Sequence, residues 1–179
     1  MNRCYVSYMT NDRDIKGILV NNHQLQKYKC IYPYVCLCTK DVSEDIIFEL
    51  VQQNIKVVKF SFHEILQDYL KITIIDYLYS KHYYGKYFIF LLENYDECVY
   101  LDSDILILQN LDKMFDKLEN ITKIDKKLFM VQDIVESVGE NIDNISHKDL
   151  IIINNNFNSG VIVFKPNRDI FFDIINLIK

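Results

Sequence analysis

The chain has 179 residues, half of them hydrophobic and a quarter charged, so it is long enough to bury a core and is not a disordered chain. Its net charge is -5 with no basic block, which argues against nucleic acid as a partner. No apolar run approaches about 18 residues and the N-terminus lacks a signal-peptide apolar core, so the expectation is one domain over 1–179, without a membrane span, in the cytoplasm (of the host, if the source is viral).

Tyr5 to Met9 alternates like a first strand, and Thr10-Asn-Asp12 reads as a turn and helix cap. Ile15, Ile18, Leu19 and Leu25 recur at helical spacing as far as about Tyr28. Pro33 introduces a second strand, Tyr34 to Cys38. Ser43 with Ile46, Ile47 and Leu50 reads as a capped helix, and Ile55 to Phe60 as a third strand. This β-α-β-α-β opening predicts a doubly wound, mostly parallel sheet. A helical stretch over 72–92 leads to a central strand at Val99 to Leu101, and a short helix begins at Asp112. Lys127 to Val131 is a further strand, 132–153 a mobile polar loop, Phe157 to Phe164 a strand stopped by Pro166, and Asp169 to Ile178 a last amphipathic helix.

The five cysteines match no zinc spacing. Cys36 and Cys38 sit in a strand-like run and read as small buried hydrophobes in a reduced protein, in preference to a redox pair. The chain has no Ala or Trp and is rich in Ile, Asn, Lys and Tyr, which reflects A/T-rich codons and says nothing of fold.

The chemistry concentrates at Val99-Tyr-Leu-Asp-Ser-Asp104. Val99 to Leu101 is a β-prone run suited to a strand buried on both faces. Asp102 and Asp104 follow at its C-terminal end, where α/β sheets bind ligands. In extended chain an i, i+2 pair points to one side. Two carboxylates so placed repel unless a cation joins them, and a hard ion such as Mn²⁺ or Mg²⁺ suits an all-oxygen site. The competing reading is a plain Asp-Ser-Asp turn.

Four segments in order carry a resemblance. They are Tyr8-Met-Thr-Asn-Asp12 with Lys16-Gly17; Tyr84-Gly-Lys86; Val99 to Asp104 with Leu108-Gln-Asn-Leu-Asp112; and Phe157-Asn-Ser-Gly160 with Phe164-Lys-Pro166. Together they resemble glycosyltransferase family 8, the group that includes glycogenin and galactinol synthase, from about Val6 to Pro166, with the glycogenin-like branch nearest. The resemblance implies a GT-A fold: Rossmann-like, with a mixed, mostly parallel sheet and flanking helices. It implies a UDP-sugar donor, UDP-glucose or UDP-galactose, with Mn²⁺ (or Mg²⁺), and retaining transfer to an acceptor the sequence does not name. Thr10 and Asn11 match residues of the uracil and ribose pocket, and Lys86 a lysine beside the phosphates and sugar. Asp102 and Asp104 match the metal ligands, with Ser103 between them on the ribose. Asn158 and Ser159 match the donor-sugar pocket. Gly160 would let backbone approach the ligand closely.

The departures from that family are specific. Asp14 stands where the family has an aromatic that stacks on uracil. The family's later acidic segment and its histidine metal ligand have no match, since His23, His63, His82 and His147 lie in other contexts. The chain is therefore expected to carry the donor-binding part of the family domain and to transfer slowly or not at all. Lys86 and Asp133 are the expected catalytic residues, Asp133 as the carboxylate placed to fill the missing acidic role. The alternatives are a non-catalytic UDP- or UDP-sugar-binding remnant and, more distantly, a haloacid dehalogenase-like phosphatase with Asp102 as nucleophile. The oligomeric state stays open, a homodimer included.

Overall fold

The computed structural model describes residues 1–61, 85–116, 128–132 and 157–177; for 128–132, 157, 158, 175 and 177 it describes backbone alone. Six strands make one sheet: β1 Arg3–Met9, β2 Tyr34–Thr39, β3 Lys56–Phe60, β4 Glu97–Leu101, β5 Leu128–Gln132 and β6 Phe157–Phe164. Their order is β3-β2-β1-β4-β6-β5. β3, β2, β1 and β4 run parallel, while β6 is antiparallel to both β4 and β5. The sheet is thus mixed and mostly parallel, as the sequence predicts. Three α-helices accompany it among the described residues: α1 Ile15–Lys27, α2 Glu44–Gln52 and α3 Arg168–Leu177.

Strand alternation sends two sets of side chains to opposite faces. On the first face Cys4, Val6, Val35, Leu37, Cys98, Tyr100, Ile162 and Phe164 meet Phe88 and Phe90 of the 3-10 helix Gly85–Leu91 and Phe171 of α3. On the second face Tyr5, Met9, Cys36, Cys38, Val99 and Leu101 meet Ile18 and Leu25 of α1, Leu50 of α2 and Phe115. β2 and β4 are buried along their whole lengths, which explains their near-continuous apolar sequences.

Cys36 and Cys38 are buried and free, as the apolar reading expects. The hydrogen bond shared with Cys38 and burial both push the Cys36 thiol well above its ordinary range, so it is a poor nucleophile.

Elements on the second face are tied down by Asp112. Its Oδ1 accepts the Tyr5 hydroxyl at 2.7 Å and the Ile31 N–H at 3.3 Å, and its Oδ2 accepts the Asn110 amide at 3.0 Å. The Asn110 amide also donates to the carbonyls of Tyr28 and Lys29, just past the end of α1. The motif Leu108-Gln-Asn-Leu-Asp112 is therefore a clasp between the chain after β4 and the end of α1.

One expectation changes, in the stretch before β4. The run predicted as helix over 72–92 is a 3-10 helix at Gly85–Leu91, and 72–84 lies outside the described residues. The predicted loop at 132–153 also lies outside them, apart from Gln132 at the end of β5.

Candidate functional site

The C-terminal ends of β1, β2, β3 and β4 share one edge of the sheet, because these strands are parallel. β6 runs the other way, so its N-terminal residues Asn158, Ser159 and Gly160 reach the same edge. The Asp102 N–H donates to the Gly160 carbonyl at 2.8 Å, which extends the β4–β6 pairing one step beyond Leu101↔Val161. Topology thus brings together residues almost sixty positions apart.

Asp102 lies two residues after Tyr100 and takes the same face. Its Oδ1 accepts a short hydrogen bond from the Tyr100 hydroxyl. Its Oδ2 lies 3.6 Å from the Lys86 ammonium, and the two side chains are 29% and 19% exposed. Lys86 also donates to Ser159 Oγ at 2.8 Å and stands 5.6 Å from the centre of the Tyr100 ring. Burial, and next the Asp102 charge, push the Tyr100 phenol well above its ordinary range, so it stays a donor toward the carboxylate.

The residue before Lys86 packs closely on β1. An added Cβ on Gly85 would sit 1.8 Å from the Tyr8 hydroxyl, so a larger residue there would have to push the Tyr8 ring aside.

The second face fixes the backbone of the same loop. Asn21, fully buried on α1, donates to the Asp102 carbonyl at 2.9 Å. Ser7 donates to the Leu101 carbonyl, and its hydroxyl lies 2.6 Å from that of Tyr34. Gly17 of α1 packs on Ser103 so closely that a Cβ would lie 1.9 Å from the Ser103 carbonyl oxygen.

These contacts bend the chain. β4 ends at Leu101, and Ser103 and Asp104 form a turn. The chain is no longer extended there, so strand alternation does not by itself set where Asp104 points relative to Asp102, and the turn read from Asp-Ser-Asp is present. Asp104 is exposed at the same edge. Among the described residues no cluster of three His, Cys, Asp or Glu side chains forms. The donor set offered at this edge is oxygen alone, which fits a hard divalent ion.

At the end of β1, Thr10 is buried and its carbonyl accepts the Thr39 hydroxyl at 3.1 Å. Asn11 caps the 3-10 turn Asp12–Asp14 by accepting the Arg13 N–H at 2.9 Å, and its amide donates to Thr10 Oγ1 at 3.0 Å. Asp12 Oδ1 accepts the Ser43 N–H at 2.9 Å, which joins this turn to the start of α2. Asn158 pairs with Val131 in the β5–β6 ladder, after a register shift between Met130 and Val131. Asp133 lies outside the described residues.

The structure therefore brings Lys86, Asp102, Ser159 and the Gly160 backbone into one cluster. Thr10 and Asn11 lie at the end of the neighbouring strand β1. Sequence reasoning gave no role to Tyr100, Asn21, Ser7 or Gly85, although Tyr100 and Gly85 stand in the segments that carry the resemblance. The available signals were Tyr100 at i−2 from Asp102, and polar residues inside the apolar periodicities of β1 and α1.

Solved structures identify the architecture. The chain superposes on the bifunctional glycosyltransferase WbbM with a TM-score of 0.63 at 20% identity, covering 96% of this chain and 33% of that one. The galactosyltransferase LgtC, solved with donor and acceptor sugar analogues, gives a TM-score of 0.59 at 15% identity, covering 97% and 63%. At these identities the likeness defines the fold, which is GT-A. The sequence profile of Glycosyl transferase family 8 matches residues 5–171, and the chain belongs to that family.

Galactinol synthase 1 of Solanum lycopersicum is 29% identical over 185 residues, 98% of this chain and 54% of that protein. Human glycogenin-2 is 27% identical over 117 residues, 65% of this chain and 23% of that protein. The chain spans about half the length of the tomato relative. Family membership sets the phosphatase alternative aside.

Proposed function

We propose that this chain binds a UDP-sugar, UDP-glucose or UDP-galactose, together with Mn²⁺ or Mg²⁺, and transfers the sugar with retention of configuration. Asp102 and Asp104 would hold the ion, which supplies Lewis-acid neutralisation of the diphosphate leaving group. Lys86 adds a fixed positive charge at the same edge, already aimed by Ser159 and Asp102, where negative charge grows as the sugar departs. Thr10, Asn11 and Ser103 would take the base and ribose, and Asn158, Ser159 and Gly160 the sugar. Asp133 is the proposed acidic residue beside the reaction centre. The acceptor is a hydroxyl compound that no residue identifies, and the proposed setting is the cytoplasm, with one domain over 1–179. No helix among the described residues is long and apolar enough to cross a membrane.

The observation that carries this reading is the Lys86–Asp102–Ser159 cluster at the carboxyl edge of a family 8 sheet. A second reading, UDP binding without transfer, is favoured by the lack of a third ligating side chain beside Asp102 and Asp104 among the described residues. UDP release from each UDP-sugar, with Mn²⁺ and again after chelation, tests both. Metal-dependent release is expected for the enzyme, and metal-dependent binding without release for the second reading. Neither release nor binding would overturn both.

A further inference from the structure

The two oxygens of Asp102 are not equivalent. Oδ1 receives the Tyr100 hydroxyl, while Oδ2 turns toward Lys86 at the open edge. Tyr100 cannot easily let go. It is 2% exposed, lies on a central strand, and its ring packs on the first face while the Lys86 ammonium stands over it. Its hydroxyl thus meets the carboxylate from a fixed position, and Asp102 is anchored at the other end by its N–H to Gly160 and its carbonyl to Asn21.

We infer that Tyr100 is a positioning residue that commits Asp102 to ligation through one oxygen and so sets which divalent ion the site prefers. The inference rests on the metal reading proposed above. An oxygen already accepting a phenolic hydrogen bond is the poorer ligand, so chelation by both oxygens is disfavoured. Ca²⁺ takes six to eight oxygens and uses two-oxygen carboxylate ligation freely, whereas Mg²⁺ requires a near-ideal octahedron and is content with single-oxygen carboxylates. A one-oxygen Asp102 therefore discriminates against Ca²⁺ in favour of the smaller ions. With the hydroxyl gone, the carboxylate can rotate and offer both oxygens.

The test measures free Mn²⁺ by electron paramagnetic resonance during titration in the presence of UDP, with and without competing Ca²⁺. It compares the unaltered chain, Tyr100→Phe, Asp102→Glu and Asp102→Ala. Tyr100→Phe keeps the ring and removes only the hydroxyl. It is expected to bind Mn²⁺ about tenfold more weakly, the low end of what is lost with a hydrogen-bond partner of a metal ligand, while Ca²⁺ competes more effectively than in the unaltered chain. Asp102→Glu carries its carboxylate one methylene beyond the phenol and should lose the same discrimination, which keeps the test decisive if Tyr100→Phe folds poorly. A purely structural role would lower the melting temperature and leave the Mn²⁺-to-Ca²⁺ ratio alone. An unchanged ratio in Tyr100→Phe, or in Asp102→Glu, overturns the role of Tyr100 even when Asp102→Ala abolishes Mn²⁺ binding. Unchanged Mn²⁺ binding in Asp102→Ala overturns the metal reading itself, and the inference with it.

Discussion

Gly17→Ala sets two effects of opposite sign against each other. Gly17 lies in the first turn of α1, and replacing glycine by alanine in a helix is worth up to about 1 kcal/mol in favour of the fold. The new Cβ, however, would lie 1.9 Å from the Ser103 carbonyl oxygen and 2.7 Å from its carbon, which are backbone atoms. Reaching even 3.0 Å from that oxygen needs a displacement of about 1.1 Å (3.0 − 1.9), and α1 and β4 are both locked into the second-face core. Overpacking of this kind costs about 1–3 kcal/mol, occasionally more, so the clash outweighs the propensity gain. The net expectation is a loss of up to about 2 kcal/mol, or up to roughly 8 °C in melting temperature for a chain of this size. The displacement also moves the turn between Asp102 and Asp104, so UDP affinity with Mn²⁺ should fall in the same variant. Thermal melting and titration calorimetry read the two effects separately. A more stable Gly17→Ala protein with unaltered UDP affinity would refute the claim that α1 shapes this turn.

Lys86→Ala should slow turnover of a UDP-sugar more than it weakens UDP binding, because its charge counts most as the leaving group develops; equal losses measured by steady-state kinetics and calorimetry would make it a ground-state contact only. Tyr5→Phe removes a donor to the Asp112 carboxylate and should cost about 1.5–3 kcal/mol by urea denaturation with UDP affinity unchanged, since that clasp holds the end of α1 and not the carboxyl edge. Burial raises the phenols of Tyr5, Tyr34 and Tyr100 above their ordinary range. In the unfolded chain they lose protons near pH 10 while the folded chain keeps them, so their stabilisation is complete below about pH 10 and falls as pH rises beyond it. Urea midpoints that stay flat from pH 9 to 11 would contradict that.

Much of the sheet was legible because its signals are local. β1, β2, β4 and β6 announce themselves by apolar runs and by Pro33 and Pro166, and the β-α-β order dictates parallel neighbours. The turn at Ser103 was legible only as one of two readings of Asp-Ser-Asp, with nothing local to decide between them. It follows from Asn21 and Gly17 on a helix some eighty residues earlier. Asn11 carries both readings at once, as the expected cap and as a residue beside Thr10 at the edge of β1. The partnership of Lys86 with Ser159 depends on β6 running antiparallel to β4, a fact of topology that no periodicity encodes.

The central claim is that the carboxyl edge around Asp102 holds a metal-assisted UDP group. It is tested most directly by calorimetric titration of UDP into the unaltered chain, Asp102→Ala and Asp104→Ala, each with Mn²⁺ and again with a chelator. Asp104 is exposed, so Asp104→Ala should melt close to the unaltered chain, whereas Asp102→Ala leaves the buried Tyr100 hydroxyl and Lys86 without their carboxylate and should melt somewhat lower while staying folded. The account predicts UDP binding that requires Mn²⁺ and disappears in each variant. Undiminished Mn²⁺-dependent UDP binding in both variants would contradict it.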